Sequence, residues 1–193
     1  MSKVRVRIPL MSKVRVRIPP CQPTLEYTIM VDIYDGLYVG DDTDYEKIKS
    51  NSDWRSARMC KFGPGGHKET LGYTTMSAPK GKHYLSVEKD NRIAINIIDM
   101  EDPSMIPVEC LTTAITYVKE QLDLGKNVLI ACNSGHSRGP STGMAFLRSI
   151  GELPYHFIKS ENIYKVLYPN YDPGIGIRQL LREHWGDLQD MEV

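Results

Sequence analysis

Cysteine is sparse in this sequence: Cys21, Cys60, Cys110 and Cys132 are the four present, with no CxxC pair and no zinc-like spacing. That excludes a disulfide framework and a structural zinc ribbon as organising principles. An excess of one charge is also missing. Lys+Arg and Asp+Glu number 24 each, so the net charge is zero, and no global field steers the chain to nucleic acid or to an anionic membrane. Long apolar runs are absent too: no stretch has the length of a membrane span, and no signal-peptide core is visible. What remains is a chain of 193 residues with 41% hydrophobic content, which suits one soluble globular core.

The most informative stretch runs from Val128 to Ser141. Val128, Leu129, Ile130 and Ala131 form a short apolar run that predicts a buried strand. A polar turn containing Gly135 follows, and Pro140 marks the first turn of a helix. In an open α/β sheet, ligands bind between the carboxyl end of a strand and the start of the next helix. The free amides and dipole there favour an anion. Cys132 opens the turn and Arg138 closes it, with five residues between. A helix N-terminus and a nearby arginine favour the thiolate, the nucleophilic form of cysteine. The amides of the turn can cradle the oxygens of a phosphoryl group, and the planar fork of Arg138 can clamp two of them.

In Cys132, Gly135, Ser137 and Arg138 the sequence resembles the cysteine-dependent protein tyrosine phosphatase superfamily, and within it the small dual-specificity phosphatases of bacterial and phage type. The resemblance implies an α/β fold with a central, mostly parallel sheet flanked by helices, and a phosphate loop between strand and helix. It implies Cys132 as nucleophile, Arg138 as clamp, and Asn133, Ser134, Gly135, His136 and Ser137 as the substrate-binding loop. Two positions depart from the pattern: Ala131 stands where the superfamily usually has His, and Gly139 where it usually has Ser or Thr. The first removes a group that orders the loop, the second a hydroxyl that assists breakdown of the phosphocysteine.

In chain order, residues 1–10 and 11–20 are near-duplicates. With the prolines at 19, 20 and 23 they predict an N-terminal arm and linker (1–26), able to pair as an edge strand or swap onto a neighbour. The oligomeric state stays open. Residues 27–193 are expected to be the catalytic domain. A hairpin is predicted about Asp35-Gly36, and the Tyr34–Gly40 stretch resembles the opening of dual-specificity domains. A helix carrying Tyr45, Ile48 and Trp54 is expected between 42 and 58. A long loop follows over 60–81, in which His67 and the Leu71-Gly-Tyr73 run resemble bacterial and phage relatives, implying that His67 and Tyr73 shape the pocket. A strand is predicted over Arg92–Ile98 and a helix over Pro107–Leu124; together with the strand at Val128 they form a parallel βαβ unit. Helices are expected over Tyr155–Leu167 and Ile175–Trp185.

The chemistry needs one carboxylic acid to protonate the leaving oxygen. Asp99 follows directly after the predicted strand, 33 residues before Cys132, and Asp102 lies 30 residues before it. Asp99 is preferred, because Asp102 before Pro103 suits a helix cap.

These readings predict a phosphomonoester hydrolase acting on phosphorylated protein or peptide through a phosphocysteine. No cofactor, no metal, no nucleic acid and no membrane partner are expected, and a cytoplasmic setting suits a thiolate enzyme. The alternative is a weakened phosphatase fold that binds phosphorylated partners without turning them over. Arsenate reductases and sulfurtransferases also use cysteine loops, but need a resolving thiol or a different loop.

Overall fold

The computed structural model describes residues 30–189; the expectations for the duplicated arm and its linker lie outside the described residues. The predicted hairpin forms from β1 (Val31–Tyr34) and β2 (Leu37–Gly40), paired antiparallel across Asp35-Gly36. A capping box between Asp41 and Asp44 then starts α1 (Asp42–Ile48) at the end of β2. That placement matters, because it delivers Asp42 to the carboxyl edge of the sheet.

The expected helix does not reach Trp54. Trp54–Arg58 is β3, a central strand that pairs in parallel with both β6 (Asn127–Ala131) and β5 (Arg92–Ile95). Its inward positions include Ser56 and Arg58, both essentially unexposed, so the run lacks the apolar pattern that announces a buried strand. β4 (Ser86–Lys89) pairs antiparallel with β5 at the sheet's end. The strand order is β1-β2-β6-β3-β5-β4. Four inner strands are parallel and the two edge strands antiparallel, as a mostly parallel α/β sheet requires.

β5 stops at Ile95, short of the expected Ile98: Asn96 still donates its amide to Leu85 in register with β4, and then Ile97 donates back to Ile95, a tight turn that breaks the extended run. The crossover α3 (Glu109–Asp123) returns the chain to β6, with β3 lying between β5 and β6. The expected loop over 60–81 contains one short helix, α2 (His67–Leu71).

One face of the sheet carries the main core. Val128 and Ile130 point into it with residues of α3, α4 (Arg138–Ser149), α5 (Phe157–Leu167) and α6 (Ile175–His184). Leu129 and Ala131 alternate to the other face and meet Tyr45 and Ile48 of α1. α6 is tied to α5 by a fork: Arg178 Nε and Nη2 donate to the two oxygens of the buried Glu161 at 2.6 and 2.8 Å. Among the described residues no helix is long and apolar enough to cross a membrane.

Candidate active site

β6 ends at Ala131 and α4 begins at Arg138, so residues 132–137 form the turn between them. Cys132 is fully buried at its base. Gly135 takes φ +69° there, and a Cβ on it would press within 3.2–3.3 Å of Asp41 and the Gly40 backbone; only glycine fits that bend without strain. The Gly135 carbonyl accepts from Tyr168 Oη at 2.7 Å. Burial pushes the Tyr168 phenol above its ordinary range, which keeps it a donor. Among the described residues, no backbone carbonyl takes the amide of any residue from Asn133 to Arg138. Those donors are available to an anion.

The loop's side chains mostly turn to the protein. Ser137 is buried and its Oγ accepts from Gly174 N at 2.9 Å. His136 Nδ1 donates to the Asn170 carbonyl at 3.1 Å, while Asp172 N donates to the His136 carbonyl at 3.0 Å. Ser134 and His136 are exposed. The five residues therefore face different ways. Ser137 anchors the α5–α6 connection, Ser134 lies at the surface, and Asn133 reaches sideways to Asp42 and Arg138.

Arg138 is nearly buried, its side chain 12% exposed. Nη1 donates to the Ile97 carbonyl at 3.3 Å and Nη2 to Asn133 Oδ1 at 3.0 Å. Nε has no hydrogen-bond partner, and Asp99 Oδ2 lies 3.7 Å from it. A guanidinium carries five N–H donors in a fixed fork, so this one keeps donors without a hydrogen-bond partner, the buried Nε among them. Asp99 leaves the sheet beyond β5 and stands 35% exposed. Gly174 holds it from the other side: a Cβ there would lie 2.5 Å from Asp99 Oδ1. Asp102, the rival acid, caps the short 3-10 turn Pro103–Met105 by accepting from Ser104 N at 2.9 Å, and the Ser104 hydroxyl together with that amide pulls its carboxyl below the usual range.

His67 and Tyr73 do meet, though as a brace within their own segment. His67 Nε2 donates to the His83 carbonyl at 2.8 Å, and its Nδ1 lies 3.2 Å from Tyr73 Oη. Burial lowers the His67 pKa, favouring the neutral ring this geometry needs. Burial pushes the Cys110 thiol up to about 12, which leaves it inert on α3. Among the described residues no group of three or more His, Cys, Asp or Glu is placed to hold a metal.

Sequence reading missed Arg58, Asp42, Tyr168 and Gly174. Tyr168 and Gly174 lie in the Pro- and Gly-bearing run between two predicted helices, a turn signal that gives no role to either.

No protein-family model matches the chain, and no curated protein does. The fold is nonetheless that of the protein tyrosine phosphatases and dual-specificity phosphatases, a mostly parallel α/β sheet flanked by helices. Human DUSP28 superposes with a TM-score of 0.58 at 16% identity, covering 83% of this chain and 95% of that one. A leucine rich repeat and phosphatase domain containing protein from Entamoeba histolytica gives 0.56 at 18%, covering 85% and 95%. The human tyrosine phosphatase-like serine/threonine/tyrosine-interacting protein gives 0.55 at 14%, covering 80% and 94%.

Proposed function

We propose that this chain is a cysteine-dependent phosphomonoester hydrolase that acts on phosphorylated protein or peptide. One observation carries the reading: a buried cysteine and an arginine bracket a turn of unengaged amides between β6 and α4, with a carboxylate 3.7 Å from the arginine. In the first step Cys132 Sγ bonds to phosphorus, the P–O ester bond breaks, and Asp99 gives its proton to the departing oxygen. The loop amides and Arg138 stabilise the charge on the equatorial oxygens. In the second step water attacks phosphorus, Asp99 takes the water's proton, and the S–P bond breaks to return the thiolate and inorganic phosphate. One water is consumed per ester.

Residues 27–193 are proposed as the catalytic unit. Hydrolysis of an aryl phosphate under reducing conditions tests the reading. Activity is expected to survive EDTA and to disappear in Cys132→Ser. A wild-type protein that binds phosphate without turnover would favour the second reading, a phospho-binding module. Ala131 and Gly139, together with a neighbouring fold named for an interacting protein, are what that alternative rests on.

A further inference from the structure

Arg58 is the largest of the fully buried side chains described. A guanidinium without water is costly unless its charge and hydrogens are matched, so its partners are informative. It sits at the end of β3, in register beside Ala131. Both point to the α1 face, where the guanidinium lies 4.5 Å over the Tyr45 ring. The small side chain at 131 leaves that room. Nε donates to the Pro64 carbonyl at 3.0 Å, and Nη2 donates to Asp42 Oδ1 and, at 3.4 Å, to Cys60 Sγ.

The contacts continue toward the phosphate loop. The other oxygen of Asp42 accepts from Asn133 Nδ2 at 3.1 Å, and Nδ2 also donates to the Phe62 carbonyl at 2.9 Å. Both hydrogens of that amide are thereby engaged, which fixes its orientation. Asn133 Oδ1 is left to accept from Arg138 Nη2 at 3.0 Å. The Asp42 amide also donates to the Asn133 carbonyl at 3.3 Å. The surrounding loop is shaped to this chain of contacts. Gly63 takes φ +95°, and a Cβ there would run into Asn133 Nδ2 and lie 3.1 Å from Asp42 Oδ2.

We propose that Arg58 and Asp42 are positioning residues: they hold Asn133 in the amide orientation that offers its oxygen to Arg138, and so aim the Arg138 fork before an anion arrives. With the amide reversed, Nδ2 would face the N–H groups of Arg138, donor against donor. Without Asp42 only the Phe62 carbonyl and Arg138 itself are left to select the productive orientation. Misplacing a clamp by about 1 Å costs on the order of 10²-fold in rate, and supporting contacts of this kind set that placement. The inference rests on the hydrolase reading for its link to rate, but its first readout is anion affinity.

The test is a double-mutant cycle on the full chain, read by calorimetry with inorganic phosphate, by kcat/KM on an aryl phosphate and by thermal melting. Asp42→Ala and Asn133→Ala should each weaken phosphate binding by about 10–100-fold, and the double variant should be no worse than Asn133→Ala alone. Arg58→Lys keeps the charge opposite Asp42 and should retain more affinity than Asp42→Ala. Losses that multiply in the double variant would overturn the inference. So would an Asp42→Ala protein with a lowered melting temperature but phosphate affinity within about twofold of wild type. If wild type binds phosphate yet turns nothing over, the hydrolase reading fails, and the phosphate affinities still decide the positioning role. If wild type binds no phosphate, both are overturned.

Discussion

The Asp99 carboxylate stands 3.7 Å from Nε of Arg138, although the two residues leave the sheet from strands that β3 separates. Both strands are parallel, so their carboxyl ends open on the same edge, and the loop after each bends toward the other. That proximity is what the proposed mechanism uses, with the arginine as clamp and Asp99 as acid.

On the proposed mechanism, Asp99→Asn removes the proton donor without removing the clamp. Its kcat should fall by about 10²–10⁴-fold on phenyl phosphate. The fall should be smaller on p-nitrophenyl phosphate, whose leaving group needs less protonation. Steady-state kinetics with the two esters checks this, and equal losses on both would move the acid's role away from Asp99.

Gly174→Ala places a Cβ 2.5 Å from Asp99 Oδ1 and 3.2 Å from its Cγ. The backbone there is ordinary, with φ −57°, so the fold has no reason to object. The carboxylate has to move instead. The expected result is a loss of kcat of about tenfold with little change in KM, as a shifted acid produces. A melting curve close to wild type should accompany it.

Gly139→Ser restores the hydroxyl common in the superfamily, but here it should not raise turnover. A Cβ at this position would lie 3.0 Å from the amide nitrogen of Cys132 and 3.2 Å from the Ala131 carbonyl carbon. Such packing is met only if the base of the loop shifts. The expected outcome is a lower kcat/KM, by less than the roughly 10²-fold that a 1 Å displacement costs. A gain in rate would show that the loop has slack at its base.

Acid should loosen the segment braced by His67. Its pKa is lowered in the folded protein by burial, so the unfolded chain binds the proton more readily. Stability from this group is complete above the ordinary histidine value of about 6.5 and is lost as pH falls below it. Melting temperatures measured from about pH 5 to pH 8 should decline on the acid side. In His67→Gln the decline should be shallower.

The strand, turn and helix around Cys132 and Arg138 and the helices behind them were legible because their signals are local. A Cys132-to-Arg138 spacing, an apolar run and a following Pro140 need no knowledge of distant residues. β3 was hidden for the opposite reason: Ser56 and Arg58 face inward and break the apolar pattern, and Arg58 is held by partners that only α1 and the segment after the strand bring to it, Asp42, Cys60 and Pro64. The end of β5 was overread because Ile97 and Ile98 continue the apolar pattern, while the Ile97 amide turns back to the Ile95 carbonyl and ends the extended run. The site's outer supports, Asp42 and Gly174, lie 90 residues before and 42 after Cys132, and no spacing rule links them to it.

The most direct measurement is mass spectrometry of protein acid-quenched during turnover of an activated aryl phosphate. The account predicts one phosphoryl group on the peptide containing Cys132, more of it in Asp99→Asn, where water attack is slowed, and none in Cys132→Ser. Turnover that persists in Cys132→Ser, with no label on the wild-type cysteine, would contradict it.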